Sequence, residues 1–245
     1  MKRQIEPPMR SKLLCEFVGS LFLVMAAIGP IILFNNVIVG ADPGTTLALA
    51  VIADALAVGL VLFLLIEVFL PVSGAQFNPA VTIAIVMDRK MSAMDGMKYI
   101  SAQFAGGFTG MLAVHAMYIH HGAEILQVSD VVRSEGAYIA EFFGTFILVM
   151  AVFFLVRHRS RFLSLGIGML VGGMLMTTSS TMFANPQVTV ARMFTYSAAG
   201  IRPLDGGVFI AVEIAAAVTA VLFYRSVYGY LDEWERPTPK PENSV

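Results

Sequence analysis

The sequence predicts an all-α membrane protein: six transmembrane helices plus two re-entrant half-helices, built as an inverted 3+3 repeat. Three observations predict it. First, 57% of the 245 residues are hydrophobic and 13% are charged, with a mean hydropathy of +0.76. A soluble domain carries roughly 25% charged residues. Second, long apolar segments are interrupted by two short ones, each beginning at Asn-Pro. Third, the second half of the chain repeats the first.

The start, MKRQIEPPMRSKLL, is basic and leads into the first apolar run, 14–38. That run is too long for a signal peptide and further runs follow, so it reads as an uncleaved first helix. Runs 46–70, 97–119, 137–156, 163–183 and 207–229 come next. Each is near the ~20 residues that a helix needs to cross the hydrocarbon core. Segments 78–87 and 185–196 are too short to span. The expected organisation is a cytoplasmic tail (1–12), a first repeat (13–120), a second repeat (137–230) and a Pro-rich, disordered tail (231–245). All of the 16 Lys and Arg except Arg133, Arg192 and Arg202 fall in the termini or in the loops after spans two and four. This bias places both termini in the cytoplasm of an integral protein of the cell (inner) membrane.

The repeat is visible in register. EFVGSLFLVMA from Glu16 matches EFFGTFILVMA from Glu141, and NPAVTIA from Asn78 matches NPQVTVA from Asn185. AQFAGGFTGML from Ala102 matches VEIAAAVTAVL from Val212 more weakly. Each half holds an odd number of spans, so the second copy enters from the opposite side. The two Asn-Pro segments then dip in from opposite faces and meet near the midplane. Irregular backbone at that depth has to be buried or to line a polar cavity.

Asn is a strong N-cap, and Pro suits the first helical position. Asn78-Pro79 and Asn185-Pro186 therefore each start a helix, followed by Ala80 and Gln187. With each side-chain oxygen used as a cap, the amide NH2 groups are left to donate into the cavity. Two helix N-termini aimed at one point add positive potential. Such a site favours neutral hydrogen-bonding solutes over cations.

These motifs, SGAQFNPAVTIA, NPQVTVAR and the paired Glu-Phe-x-Gly starts, resemble the aquaporin (major intrinsic protein) family over about 11–230. The resemblance is to its aquaglyceroporin-like side, with an atypical filter. It implies a pore in each subunit of a homotetramer, and passive passage of water, glycerol or other small uncharged solutes. It implies no catalysis and no cofactor. It implies that Glu16 and Glu141 accept hydrogen bonds from the re-entrant backbones. It also implies a second constriction of four positions, which fall on Val58, Gly173, Met182 and Val188. The family's Arg normally follows Asn-Pro-Ala directly, and Val188 stands there instead. A ring of Val, Gly, Met and Val is apolar and wide on the Gly side. It is expected to admit glycerol- or urea-sized solutes and neutral metalloid hydroxides such as arsenite, with some water. Gln187 puts bulk where the family has a small residue near the axis.

Arg192 follows Val188 by four residues, on the same helical face. It either sets positive charge in an outer vestibule or pairs with a carboxylate. Asp54, one turn before Val58, is either a vestibule charge or the partner of Arg192 or Arg202. Glu67 and Glu213 could both brace the re-entrant segments, and neither is assigned. His115, His120 and His121 read as exposed loop residues. A net charge of -1 argues against nucleic acid as a partner, and the lone Cys15 allows no internal disulfide. No nucleophile–base set or metal-ligand spacing is present, so an enzyme is not expected. An ordinary water channel, a secondary transporter and a non-conducting structural membrane protein are the competing readings.

Overall fold

The computed structural model describes residues 6–38, 42–121 and 124–234, with side chains to residue 228. The first half holds α1 (Met9–Ile32), α2 (Pro43–Ser73), the half-helix α3 (Pro79–Met87) and α4 (Ala93–Met117). The second holds α5 (Glu135–Arg157), α6 (Leu163–Thr177), the half-helix α7 (Pro186–Arg192) and α8 (Pro203–Trp234). No strand occurs among the described residues.

Local chemistry sets the helix ends. The Asp42 side chain caps α2 by accepting from the N–H groups of Gly44 and Thr45, both at 3.1 Å, with Pro43 in the first helical position. Gly74, at φ +87°, closes the same helix in the left-handed region. Pro30 lies near the end of α1, and the chain then winds through a wider π turn, Leu33–Val37. Met9–Val37, Pro43–Ser73, Glu135–Arg157 and Pro203–Tyr228 are long and apolar enough to cross a membrane. The outward face of α2 carries Leu56, Leu60, Leu64 and Val68, all more than half exposed. A stripe of this kind suits contact with lipid rather than water.

Two expected boundaries move. The fifth span was expected over 163–183, but α6 stops at Thr177, where Thr178 turns extended. The apolar residues beyond it belong to the re-entrant segment, with Thr181, Met182 and Ala184 all at positive φ. Residues 231–234, expected in the disordered tail, instead continue α8 to Trp234. The rest of that tail (235–245) and residues 1–5 of the N-terminal tail lie outside the described residues.

The halves pack in matching ways. α1 lies along α4 as α5 lies along α8, and α2 faces α6 across the centre. Each half-helix rests on the opposite repeat, α3 on α8 and α7 on α4. Glycines let the helices approach. A Cβ at Gly59 would lie 2.9 Å from the Gly168 carbonyl, and one at Gly172 equally close to that of Ala55. Gly106 and Gly110 press on the α1 carbonyls of Phe17 and Leu21.

Candidate conduction pore

The pore is built around the two Asn-Pro segments. Asn78 Oδ1 accepts from Ala80 N at 2.9 Å and Val81 N at 3.4 Å, and Asn185 Oδ1 accepts from Gln187 N at 3.3 Å. Each Asn thus caps its own half-helix. Each also reaches across. Asn78 Nδ2 donates to the Ala184 carbonyl at 2.8 Å, and Asn185 Nδ2 donates to the Phe77 carbonyl at 2.9 Å. The reciprocal bonds join the two N-termini. They also amend the expectation that both amides are wholly free, since one N–H of each holds the opposite loop.

The segments leading to the two Asn residues have the same strained shape. Ala75 and Phe77 stand at φ +48° and +47°, and Met182 and Ala184 at +38° and +45°. These are the same offsets from each Asn. Left-handed non-glycine residues cost about 1–3 kcal/mol each and persist where the surroundings hold them. Buried carboxylates do the holding. Glu16 accepts from Gln76 N (3.0 Å), Phe77 N (2.8 Å), Ser73 Oγ (2.7 Å) and Gln103 Nε2 (2.9 Å). Glu141 accepts from Phe183 N (2.8 Å) and Ala184 N (2.6 Å). The Gly three residues after each Glu makes room for the loop it braces: Gly19 faces the Phe77 ring, and a Cβ at Gly144 would lie 3.1 Å from Met182 Cγ. Glu213, unassigned in the sequence, accepts from Asn185 N at 3.1 Å and Thr189 Oγ1 at 2.8 Å. Glu67 braces no loop; it accepts from Ser164 Oγ and ties α2 to α6.

A cavity of about 280 Å3 runs past the Asn pair. Its walls are apolar stripes with helical spacing: Val58, Leu62, Ile66 and Leu70 of α2, Ile167, Val171 and Leu175 of α6, and Leu148, Val152 and Val156 of α5. Asn78, Asn185, Gln76 and Arg192 add polar groups. Val58, Met182 and Val188 lie in this wall. Gly173 does not. It is exposed, nothing lies within 4 Å of a Cβ built on it, and the wall of α6 passes through Val171 and Leu175. At about 100° per residue, a position two away from both points to the other side of the helix.

Gln187 also departs from expectation. It is 1% exposed and is absent from the cavity wall. Its Nε2 donates to the Phe77 carbonyl at 3.1 Å, and its Oε1 lies where a Cβ on Gly107 would stand. The small residue on α4 accepts the bulk, so the side chain turns away from the axis. Gly107 was the sequence signal for this. The matching site in the other half pairs Ala80 and Ala217 in one apolar cluster.

Arg192 and Asp54 meet. Arg192 Nη2 lies 3.2 Å from Asp54 Oδ2 and also donates to the Ala27 carbonyl, and both side chains are almost fully buried. The guanidinium stacks on the Phe183 ring, with Cζ 4.3 Å from its centre. Arg202 pairs instead with Asp205, at 2.8 Å. Arg133, in the loop before α5, lies 5.3 Å from the centre of the same Phe183 ring. Burial, then the charge of Arg192, pushes its guanidinium down to about 10. His115 is buried rather than exposed, and its ring nitrogens bond the Ile125 carbonyl (2.9 Å) and Thr195 Oγ1 (2.8 Å). No group of three His, Cys, Asp or Glu able to hold a metal occurs among the described residues.

Known proteins resemble this chain in sequence and fold. The family profile described as Major intrinsic protein matches residues 5–182. The chain is 33% identical over 211 residues to "Aquaglyceroporin AqpS" of Rhizobium meliloti (strain 1021), covering 86% of this chain and 87% of that one. It is 29% identical over 147 residues to "Aquaporin PIP2-3" of Zea mays, a match spanning 57% of this chain and about half (51%) of the plant protein. The solved structure of the aquaglyceroporin from Plasmodium falciparum superposes with a TM-score of 0.72 at 20% identity, over 93% of this chain and all of that one. That likeness bears on the fold. The family match and the identity to the rhizobial protein bear on descent. The chain belongs to the major intrinsic protein family of membrane channels, and is a passive channel for water or small solutes rather than an enzyme.

Proposed function

We propose that this channel passes uncharged solutes of glycerol or urea size, and neutral metalloid hydroxides such as arsenite, together with some water. The observation that carries this reading is Val188. It stands directly after the second Asn-Pro-x motif and presents an apolar side chain to the cavity. With Leu175 taking the place expected of Gly173, the filter is a ring of Val58, Leu175, Met182 and Val188. This ring has no aromatic and no charged member. Met182 adds a flexible, polarisable side chain. Arg192 acts one turn farther from the Asn pair, with its charge offset by Asp54, and leaves the ring itself unnarrowed. The name of the rhizobial relative, an aquaglyceroporin, agrees with a pore wider than a strict water channel.

The same reading places a homotetramer in the bacterial inner membrane with both termini in the cytoplasm. The non-conducting reading rested on Gln187 near the axis, and its fold against Gly107 removes that support. The test is a stopped-flow series in proteoliposomes with water, glycerol, urea and a neutral metalloid hydroxide. The expected result is flux of all of them, growing linearly with solute concentration. Fast water flux with exclusion of every larger solute favours the water channel instead. Saturation at modest solute levels favours a transporter.

A further inference from the structure

The two repeats brace their re-entrant segments at matching positions with different chemistry. In the first, Gln103 Nε2 donates to Glu16 Oε2 at 2.9 Å and to Thr82 Oγ1 at 3.0 Å. The amide thereby links the carboxylate to the half-helix. In the second repeat, Glu141 replaces Glu16, Thr189 replaces Thr82, and Glu213 stands in place of Gln103. Glu213 Oε1 accepts from Asn185 N and Thr189 Oγ1, while its Oε2 has no hydrogen-bond partner. Glu141 accepts from the two preceding N–H groups, those of Phe183 and Ala184, so the two carboxyls are neighbours on one stretch of backbone, and both side chains are completely buried.

Two neighbouring carboxylates that are both fully buried strongly disfavour joint ionisation, because neither can donate to the other. The proton has one suitable place. Both oxygens of Glu141 accept backbone N–H groups, from Phe183 and Ala184, which calls for the anion. Arg192 on α7 and Arg133 before α5 act on Glu141 with positive charge. Helix α3, also packed on α8, carries no titratable residue within Pro79–Met87. We propose that Glu213 is a neutral carboxylic acid, protonated on Oε2, which donates that hydrogen to the Glu141 carboxylate. Glu213 is then a positioning residue. It completes the brace that holds the left-handed Met182 and Ala184 in their approach to Asn185, as Gln103 does in the other half.

Infrared difference spectroscopy of wild type against Glu213→Gln tests this in the intact, reconstituted channel. The expected result is loss of one C=O stretch of a protonated carboxylic acid, a band that shifts in deuterated buffer. Solute flux gives the second measure. Glu213→Gln retains most of the wild-type flux, because an amide can accept at its oxygen and donate to Glu141. Glu141→Gln lowers flux by about tenfold or more, because it sets amide hydrogens against backbone N–H groups. Absence of the acid band, or equal loss of flux in both variants, overturns the proposal.

Discussion

The half-helices α3 and α7 carry the same opening, Asn-Pro-x-Val-Thr, yet they are fastened in opposite ways. At the end of α3 the charges sit at the surface. Asp88 pairs with Lys90 at 2.9 Å and with Arg225 of α8 at 3.1 Å, and both cations are nearly half exposed. At the end of α7 the charges are buried, with Arg192 locked on Asp54 and on the Ala27 carbonyl. Beside α3 the neighbours are small, Ala80 with Ala217. Beside α7 a long Gln187 fills the gap left by Gly107. The shared device, an Asn cap braced by a carboxylate, is therefore kept in both copies. The departures in chemistry gather around the second copy, where the proposed filter also lies. A duplicated scaffold can change selectivity by altering one copy while the other still holds the shape.

The contrast can be broken first at its buried end. Asp54→Asn leaves Arg192 as a buried charge without its carboxylate partner. The expected cost is about 3–5 kcal/mol, read as a large fall in the detergent-solubilised unfolding temperature. A loss below about 1 kcal/mol would mean that the pair is solvated and the burial argument wrong. A smaller effect is expected from Gly107→Ala, about 1–3 kcal/mol, because the added methyl meets Gln187 Oε1. Adding Gln187→Ala should restore most of that loss. A double-mutant cycle without coupling would remove the account of where Gln187 points.

The smallest effect is expected at the surface end. Burial alone would raise the Asp88 carboxyl, but hydrogen bonds from Lys90 and Arg225 outweigh it and hold it below the usual carboxylate range. A lowered value stabilises the fold above the unfolded-state value, and the gain is lost as pH falls through the folded one. Asp88→Asn should therefore cost about 1 kcal/mol or less near neutral pH and nothing in acid. A cost that grows on acidification would contradict the sign.

Much of this was legible from the residues. The Asn-Pro pairs announce half-helices because cap and first-position chemistry are local. Glu16 and Glu141 stand out because a buried carboxylate needs donors, and the duplication shows where those donors lie. What escaped depends on direction or on distance along the chain. Gly173 was reached by counting through a helix whose rotation the sequence does not fix, and a shift of two residues turns the side chain to the far side. The end of α6 was hidden because the Ser and Thr residues 178–181 bring no charge, Gly or Pro to mark a stop, and Met182 and Phe183 resume the apolar run. The partner of Arg192 is 138 residues away, and Asp54 could equally have paired with Arg202. Glu213 was visible as a carboxylate in a span, but its function needed the geometry of Gln103 beside it.

The central claim is that the second half-helix sets selectivity through the apolar side chain at Val188. Its most direct test is the ratio of glycerol to water permeability in proteoliposomes, wild type against Val188→Arg, at matched protein density. Restoring an arginine to the ring should narrow it and add donors for single-file water. The account predicts a ratio that falls by roughly tenfold, a barrier difference of about 1.4 kcal/mol. An unchanged ratio would contradict it, because Val188 would then not be part of the filter.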